Sequence, residues 1–319
     1  MFDWGPNKHL TAEMNIDTNS LFYLTAINWH AEEPFLQFQV QGDQLSQSTS
    51  ANELELRFRV AAGRERQCVG TVDRSKDGST RVQCDSPAAS ARQCDRCQTK
   101  ENIAAANMHQ AHRRGRDAIG KAMAAYLTHP HRLYVAIFRD GATKVGTTRG
   151  LSGGNRLVEQ GAWFASYLAQ TDDGFFVREL EDSTTEKLGV RQAVDTRKKF
   201  AGHLQPLPDQ ELESRLTQKA NEIKKFLTGE VGSRGLLLDD RWSNPRIEDQ
   251  AWTNLVSYPA VINQGAHEFA IKSMVGRLAV CNRTGFAENF LVDLQPLLTH
   301  PLETGDFEID EFIMQDSLF

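Results

Sequence analysis

Four of the five cysteines lie close together in the sequence, at Cys68, Cys84, Cys94 and Cys97. The last two form a C-x2-C knuckle, which turns tightly enough for both thiolates to meet one ion, and two further cysteines complete a tetrahedron. The surrounding residues 61–100 contain almost no large apolar side chains, so they cannot fold by hydrophobic contact alone. In a reducing compartment such cysteines indicate metal rather than disulfides, and Zn²⁺ suits four thiolates. The spacing therefore predicts a zinc site whose binding free energy folds this segment.

A zinc ion held by four protein thiolates has no open position for water or substrate, so the predicted site is structural. Free buried thiols or a redox pair are the alternative, because Cys68 and Cys84 are not spaced as a second C-x2-C knuckle. The fifth cysteine, Cys281, lies between Val280 and Asn282 in a predicted strand, which favours a core residue over a fifth ligand.

Positive charge is concentrated in the same part of the chain. Between Arg57 and Lys121 fourteen lysines and arginines stand against seven acids, although the whole chain has a formal net charge of -6. Such a segment is a candidate phosphate-facing surface, and we predict that nucleic acid, DNA or RNA, contacts it. We assign this contact to Arg113, Arg114 and Arg116. The alternative is a solvated face with no partner.

Two histidines precede these arginines on a predicted helix. His109 and His112 are three residues apart, so they share a face of that helix and are able to contact phosphate or a metal. The alternative is that they are ordinary surface histidines on a basic helix.

The composition limits the class of protein. With 319 residues, 40% apolar and 24% charged, the chain is typical of soluble globular proteins with two or three domains. No apolar run approaches the roughly 18 residues that span a bilayer, so we expect no membrane partner. The first residues lack the basic and apolar regions of a secretory signal, so we expect a cytoplasmic location.

Alternating side chains predict strands near the amino terminus. Leu21–Trp29 is a dense apolar run, and residues 36–40 and 54–60 alternate apolar with polar side chains, as strands with one buried face do. The Ser- and Gln-rich Gly42–Asn52 reads as a polar loop between them. The Ala-rich residues 101–128 are typical of helix.

From Leu133 the pattern changes to alternating strands and helices. Leu133–Phe138 reads as a buried strand, and Thr143–Thr147 returns as a second strand after the Asp-Gly turn. Arg156–Gln170 has helical spacing, and Phe175–Leu188 reads as a further helix that carries the acids Glu179, Glu181 and Asp182.

The last third of the chain begins with one clear helix. Asp209 is a candidate N-cap, and the helical stripe ends at Gly229. The apolar positions of that stripe are Leu212, Leu216, Ala220, Ile223 and Leu227. Beyond it we predict short elements, among them strands at 276–281 and 290–294.

Residues of this central part resemble two known families. Tyr134, the KVGTT run at 144–148, Arg156 and Glu181 resemble the GIY-YIG nuclease superfamily in order and spacing. With the cysteine segment and the Gln160-Gly161-Ala162 run added, the chain as a whole is similar to the bacterial domain-of-unknown-function family 2797. The resemblance covers roughly residues 60–200.

The resemblance to GIY-YIG nucleases implies roles for individual residues. Tyr134 would orient or deprotonate the attacking water, and Arg156 would clamp the phosphate through its planar fork. Glu181 would hold one Mg²⁺ or Mn²⁺. Lys144 would add positive charge, and Gln160, one helical turn after Arg156, would contact the same phosphate.

Three positions depart from the superfamily pattern. Arg132 replaces the glycine of the first motif, Lys144 replaces the first tyrosine of the second motif, and no His or Tyr follows Arg156 at the usual place. Glu179 competes with Glu181 for the metal-binding role. Two functions therefore stay open. One is a zinc-containing, metal-dependent endonuclease, and the other is a nucleic-acid-binding or scaffold protein that retains the fold without catalysis.

These interpretations predict an α+β protein with four regions. They are an N-terminal β region at 1–60, the four-cysteine zinc segment and basic helix at 61–128, the GIY-YIG-like α/β module at 129–205, and a C-terminal helix with a small β region and an acidic tail at 206–319.

Overall fold

The computed structural model describes residues 8–9, 20–43, 46–75, 78–88, 92–150 and 153–309. The end of the acidic tail lies outside these residues. The chain divides into two compact units, of which the first consists of Met1–Val69, Cys84–Cys94 and Glu248–Phe319, and the second of Gly70–Gln83 and Asp95–Ile247. The described part of the chain contains no helix long and apolar enough to cross a membrane.

The described elements mix helices and strands, which confirms the predicted α+β class. The strands are β1 Lys8–His9, β2 Leu21–His30, β3 Glu33–Val40, β4 Gln47–Ser50, β5 Leu54–Val60, β6 Thr71–Ser75, β7 Gly78–Val82, β8 His131–Ile137, β9 Thr143–Arg149, β10 Phe164–Thr171, β11 Gly235–Leu237, β12 Arg241–Ser243, β13 Leu255–Ser257, β14 Ala266–Val275, β15 Leu278–Asn282, β16 Asn289–Asp293 and β17 Pro301–Glu303. The α-helices are α1 Asp95–His109, α2 Ala111–Arg114, α3 Lys121–Leu127, α4 Gly153–Gln160, α5 Gly174–Leu188, α6 Thr196–Leu204 and α7 Asp209–Glu230.

The first unit is built on a ten-stranded sheet that combines strands from both ends of the chain. Its order is β13-β16-β15-β14-β5-β17-β2-β3-β4, and β1 pairs with β5 in parallel. Phe58 of β5 lies opposite His267 of β14, two residues that are far apart in sequence. The strands predicted within 21–60 are confirmed, and the rings of Phe22, Phe38 and Phe58, each at most 1% exposed, fill the core.

The polar loop predicted at Gly42–Asn52 is partly wrong, because Gln47–Ser50 forms strand β4. This strand pairs with β3 at the edge of the sheet, with Gln47 opposite Phe38. Gln47 and Ser48 are exposed there, so no apolar alternation marks the strand in the sequence.

The second unit is built on a five-stranded antiparallel sheet. Strands β9, β8 and β10 are neighbours in that order, and β11 and β12 both pair with the far side of β10. Helix α7 packs against β8 and β10, and α5 packs against β8 and β9. The predicted apolar stripe of α7 is confirmed, since its five members are at most 1% exposed: Leu212, Leu216, Ala220, Ile223 and Leu227.

The helix predicted at Arg156–Gln170 is wrong in its second half. Helix α4 ends at Gln160, where Gly161 takes a positive φ of 77°, and Phe164–Thr171 is strand β10. Because β10 has partners on both edges and buried side chains on both faces, its sequence lacks the alternation that marks a half-buried strand. The prediction of strands at 133–138 and 143–147 and of a helix at 175–188 is confirmed within a few residues.

Asp209 is not the N-cap of helix α7. Pro208 occupies that position, and Asp209 is the first residue of the helix. The Asp209 carboxylate instead accepts hydrogen bonds from Arg139, at 2.5 Å, and from the Trp163 indole, at 2.9 Å. The Asp209 carboxylate therefore binds the β8–β9 turn and the residue that precedes β10, and it does not cap the helix.

Candidate functional site

The four cysteines of the zinc segment meet at one point. The ligand atoms of Cys68, Cys84, Cys94 and Cys97 all lie within 4.8 Å of one another. The Sγ atoms of Cys84 and Cys94 are 3.9 Å apart. A tetrahedron with Zn–S bonds of about 2.3 Å has edges of about 3.8 Å, so this cluster has the dimensions of a four-thiolate zinc site. The predicted metal-binding cluster is therefore present in the structure.

Backbone geometry brings the sulfur atoms together. Cys68 donates its backbone N–H to the Ser86 carbonyl at 3.1 Å, and the Cys94 N–H donates to Cys68 Sγ at 3.2 Å. Cys94 directly precedes helix α1, and Cys97 is the third residue of that helix. This is the tight turn that a C-x2-C knuckle needs.

A glycine shapes the hairpin between the first two cysteines. Strands β6 and β7 form a separate two-stranded sheet. Gly70 precedes it with a φ of 73°, and a Cβ atom at this position would lie 1.8 Å from the Val82 carbonyl oxygen. Only glycine fits such a close backbone approach.

The cysteine cluster can hold a metal in a closed, structural site. Four thiolates complete the coordination of Zn²⁺, so no position is left for a reacting water. Cys281 is not part of it, since it is fully buried in strand β15 and burial raises its pKa well above the ordinary value. The prediction that Cys281 is a core residue is confirmed.

A second constellation lies in the second unit and is here named the polar cluster. It is supplied by β8, β9, α4 and α5, and its members are Tyr134, Lys144, Arg156, Gln160, Arg178 and Glu181. The elements follow one another in the order β8-β9-α4-β10-α5. All five site residues predicted from the GIY-YIG resemblance are among its members.

Tyr134 lies at the centre of the sheet and is fully buried. Its cross-strand partner on β9 is Gly146, and its hydroxyl donates a hydrogen bond to Gln160 Oε1 at 3.1 Å. A Cβ atom at position 146 would lie 2.5 Å from that hydroxyl, so the glycine of the KVGTT run leaves the space that the tyrosine ring occupies. Burial raises the pKa of Tyr134 to about 12.

Three charged side chains of the polar cluster are buried without close partners. Lys144, Arg178 and Glu181 are 8–9% exposed. Among the described residues, the Glu181 carboxylate has one ion pair, with Arg178 at 3.8 Å, and Arg178 Nε has no hydrogen-bond acceptor. Burying charges in this way costs several kcal/mol unless they are closely paired.

The charges of the polar cluster act on one another. Burial, together with the positive charges of Arg156 and Lys199, lowers the pKa of Lys144 to about 8, and Glu181 opposes this shift. Burial raises the pKa of Glu181, and Arg178, Lys144 and Arg156 oppose that shift. Cations outnumber carboxylates around Glu181, which makes the cluster suited to an anion.

Arg156 is the exposed member of the polar cluster. Its side chain is 50% exposed and donates to Glu159 at 3.0 Å, one turn further along α4. An exposed i,i+3 pair of this kind contributes less than about 1 kcal/mol, so the guanidinium is available to a ligand.

The sequence profile of one protein family matches residues 52–261, which is about two thirds of the chain. The family is described as a protein of unknown function, DUF2797. The chain belongs to this family. The matched span contains the four cysteines and every member of the polar cluster, so both sites lie within the DUF2797 region. No curated protein and no solved structure matches the chain significantly.

The three arginines predicted to bind nucleic acid make contacts within this DUF2797 chain. Arg113 donates to Asp182 at 2.5 Å, and Arg116 donates to Asp173 at 2.6 Å and lies over the Phe175 ring. Arg114 bonds within its own segment, to Gln110 and Asn107. Arg113 and Arg116 therefore stabilise the contact of residues 111–118 with helix α5.

The structure separates the two acids that competed for the metal-binding role. Glu179 lies at the surface beside Arg234, at 3.3 Å, whereas Glu181 lies within the polar cluster. Sequence reasoning missed two residues. Arg178, three residues before Glu181, shares its helix face and was detectable from that spacing. Lys199, which donates to the Gln160 carbonyl oxygen at 2.7 Å, is brought there only by the fold.

Proposed function

We propose that residues 129–205 form a GIY-YIG-type module that binds a nucleic-acid backbone and hydrolyses a phosphodiester bond. The order of elements, two strands, a helix with Arg156, a strand and a helix with Glu181, supports the resemblance. The side chains that this resemblance selects come from four separate elements and converge in one cluster.

The observation that carries this proposal is the loosely paired, buried charge of Lys144, Arg178 and Glu181. A purely structural role favours close ion pairs or apolar replacements, because uncompensated burial of charge is costly. Groups held in this way are pre-arranged for a ligand that completes their pairing. The cationic side chains would pair with the phosphate of a phosphodiester, and Arg156, on the exposed side, would hold that phosphate in place.

The carboxylate of Glu181 fits a divalent cation that binds together with the phosphate. A carboxylate oxygen is a ligand of Mg²⁺ and Mn²⁺, and no hydrogen-bond donor among the described residues occupies this one. The surrounding cations oppose metal binding until a phosphate neutralises them. Such an ion, when bound, would polarise the phosphate and neutralise developing negative charge.

The residues of the polar cluster then divide the remaining tasks. Arg156 orients the phosphate, while Lys144 and Arg178 stabilise the charge that builds up on it. Tyr134 orients Gln160 through its hydroxyl bond. A tyrosine with a pKa of about 12 is a poor proton acceptor near neutral pH, so we do not assign it the deprotonation of water.

The zinc segment is the proposed docking part of the protein. Its zinc would be structural, and its basic residues would contact DNA or RNA outside the reacting phosphate. Arg113, Arg114 and Arg116 contribute to this surface through their exposed guanidinium edges. Arg113 and Arg116 are 69% and 60% exposed despite their ion pairs.

The test is cleavage of labelled single-stranded and duplex DNA and RNA in Mg²⁺ or Mn²⁺. We expect Glu181→Gln, which keeps the shape of the side chain, to lower the rate at least about 100-fold. Glu179→Gln is the matched control on the same helix and should cleave at the wild-type rate. Cleavage that survives in Glu181→Gln contradicts the assignment.

A nucleic-acid-binding module without catalysis is the second candidate function. The complete burial of Tyr134 favours it, because a hydroxyl that is closed off from solvent cannot contact an attacking water. This candidate predicts binding of oligonucleotides that weakens steeply with salt, with no cleavage by the wild type in either metal.

A further inference from the structure

Lys144 is a buried amine without a close counter-ion. The residue is 9% exposed, and among the described residues its ammonium group has neither an ion pair nor a hydrogen-bond acceptor. The group that faces it is the Tyr134 ring, whose centroid lies 6.0 Å from Nζ. An unpaired buried charge is costly, and a lysine that only stabilises the fold keeps its charged end paired or in water. The Lys144 side chain is therefore suited to chemistry in which its nitrogen is uncharged.

The sheet explains why water is excluded from the Lys144 side chain. Lys144 on β9 lies directly opposite Ala136 of β8, and Tyr134, two residues before Ala136 on the same face, lies opposite Gly146. Tyr134 and Ala136 belong to an apolar core cluster that also contains Leu157 of helix α4. The amine therefore lies beside an apolar face of the sheet, which disfavours its charged form.

Nearby charges add to the effect of burial. Burial, together with the positive charges of Arg156 on α4 and Lys199 on α6, lowers the pKa of Lys144 to about 8, and Glu181 on α5 opposes this shift. At pH 8 about half of the molecules therefore carry Lys144 as a free amine, compared with about 0.4% for an ordinary lysine. A desolvated amine near other cations is the form in which lysine attacks carbonyl groups.

A chain of contacts joins Lys144 to the helix that carries the proposed phosphate clamp. Tyr134, which faces Lys144, donates the hydrogen bond of its hydroxyl to Gln160 at 3.1 Å. Gln160 is the last residue of helix α4, and the half-exposed Arg156 lies one turn before it on the same helix face. An amine and a phosphate-binding guanidinium in one site select a substrate that has both a carbonyl group and a phosphate.

Within a nucleic acid, an abasic residue combines these two groups. Loss of the base leaves a sugar whose C1′ carbon opens to an aldehyde, and a phosphate flanks this sugar on each side. The carbonyl groups of intact bases are amide-like and do not form imines with amines. An abasic residue has no base to unpair, so it also leaves the helix at the lowest cost and can approach a recessed amine.

We propose that Lys144 forms an imine with the C1′ aldehyde of an abasic site and thereby cleaves the strand by elimination. The step rests on the nucleic-acid binding that is part of the proposed function, and it does not require hydrolysis. The uncharged amine adds to the aldehyde carbon, and water leaves as the C=N bond forms. The C2′ carbon then loses a proton to solvent, a C2′=C3′ double bond forms, and the C3′–O bond breaks to release a fragment with a 5′-phosphate. Water hydrolyses the imine, which restores the amine of Lys144 and leaves an unsaturated aldehyde at the 3′ end of the other fragment.

The first test is a covalent adduct, because borohydride reduces an imine to a stable amine. Wild type is incubated at pH 8, without added Mg²⁺ or Mn²⁺, with an oligonucleotide whose single deoxyuridine has lost its uracil to a glycosylase. We expect an adduct that peptide mass spectrometry locates at Lys144. Lys144→Arg, which keeps the charge, should give at least about 50-fold less adduct, whereas Lys187→Arg, at an exposed position of α5, should match wild type. Absence of an adduct with wild type, or an adduct at another lysine, overturns the proposal.

The second test uses only the wild-type chain, so misfolding of a variant cannot mimic the result. Acetylation of Lys144 by acetic anhydride, quantified by mass spectrometry between pH 6.5 and 9.5, should level off above about pH 8.5. Nα-acetyllysine in the same sample is the reference, and its reactivity should still rise at pH 9.5 because an ordinary lysine has a pKa of about 10.4. A Lys144 profile that rises in parallel with the reference overturns the proposal.

Two substrates distinguish this proposal from the proposed hydrolase. A chain that cleaves undamaged nucleic acid with Mg²⁺ but forms no abasic adduct refutes only the role of Lys144 as a nucleophile. A chain that forms the adduct at Lys144 but never cleaves undamaged nucleic acid refutes the hydrolase and supports the elimination. Trapping of glyceraldehyde 3-phosphate without trapping of abasic DNA would overturn the choice of nucleic acid as the substrate.

Discussion

Replacing Gly146 by alanine tests whether the tyrosine ring and the glycine of the KVGTT run are packed as the structure has them. The new methyl group would lie 2.5 Å from the Tyr134 hydroxyl oxygen and 2.6 Å from Cζ of the ring. Comfortable contacts between such atoms are near 3.5 Å, so the overlap is about 1 Å. Tyr134 is fully buried and has no room to withdraw.

Two effects contribute to the destabilisation expected from Gly146→Ala. Overpacking of a filled core costs about 1–3 kcal/mol, and displacement of the hydroxyl from Gln160 adds about 1 kcal/mol. We therefore expect Gly146→Ala to destabilise the β8–β9 ladder by about 2–4 kcal/mol. Because tenfold corresponds to about 1.4 kcal/mol, amide hydrogen exchange in that ladder should accelerate about 30- to 700-fold.

Hydrogen exchange measured by mass spectrometry resolves this effect within the full chain. Peptides covering 131–149 should exchange faster, whereas peptides covering 266–282, from the ten-stranded sheet, serve as an internal reference. Gly120→Ala is the matched control, since a Cβ atom there meets nothing within 4 Å. Equal exchange in Gly146→Ala and wild type would refute the packing argument. The packing argument would also be refuted if Gly146→Ala were equally destabilising in a Tyr134→Leu background, where the ring is absent.

Two further predictions concern the zinc segment and pH. Cys97→Ser should bind less than half an equivalent of zinc, and its residues 61–100 should become sensitive to protease because this segment has little apolar core. Cys281→Ala is the control and should keep its metal. Unchanged protease resistance in Cys97→Ser would contradict the zinc assignment. Burial lowers the pKa of His131 to about 4 and that of His203 to about 3, so the unfolded chain binds protons that the folded chain excludes. The free energy of unfolding should be highest above about pH 6.5. At lower pH it should decrease by up to about 1.4 kcal/mol per pH unit for each of the two histidines. Urea denaturation between pH 7.5 and 5 measures this pH dependence of the free energy of unfolding. If His203→Gln shows the same pH dependence as wild type, His203 does not contribute to it.

Features encoded by nearby residues were predictable from the sequence. The C-x2-C knuckle fixes two thiolates through the geometry of one turn, and the stripe of α7 follows from a period of 3.6 residues. The strands of residues 21–60 alternate because one of their faces is buried. In each case the determining interaction lies within a few residues along the chain, so the residue types alone carry the information.

Other features depended on contacts that local sequence does not contain. Strand β10 was mistaken for helix because its side chains are buried on both faces, which removes the period of two. Asp209 caps no helix because Arg139 and Trp163 bind its carboxylate. The strands between 255 and 303 join those of 21–60 in one sheet. The sequence of a strand does not indicate how far away along the chain its hydrogen-bonding partner lies.

The candidate site shows the same division. The sequence by itself determined which side chains are able to bind metal and phosphate, and the order in which they occur. Only the tertiary structure decided that Glu181 rather than Glu179 faces Lys144 and that Tyr134 is buried against Gly146. Burial and electrostatic environment depend on distances in space, and folding sets those distances for residues that the chain keeps far apart.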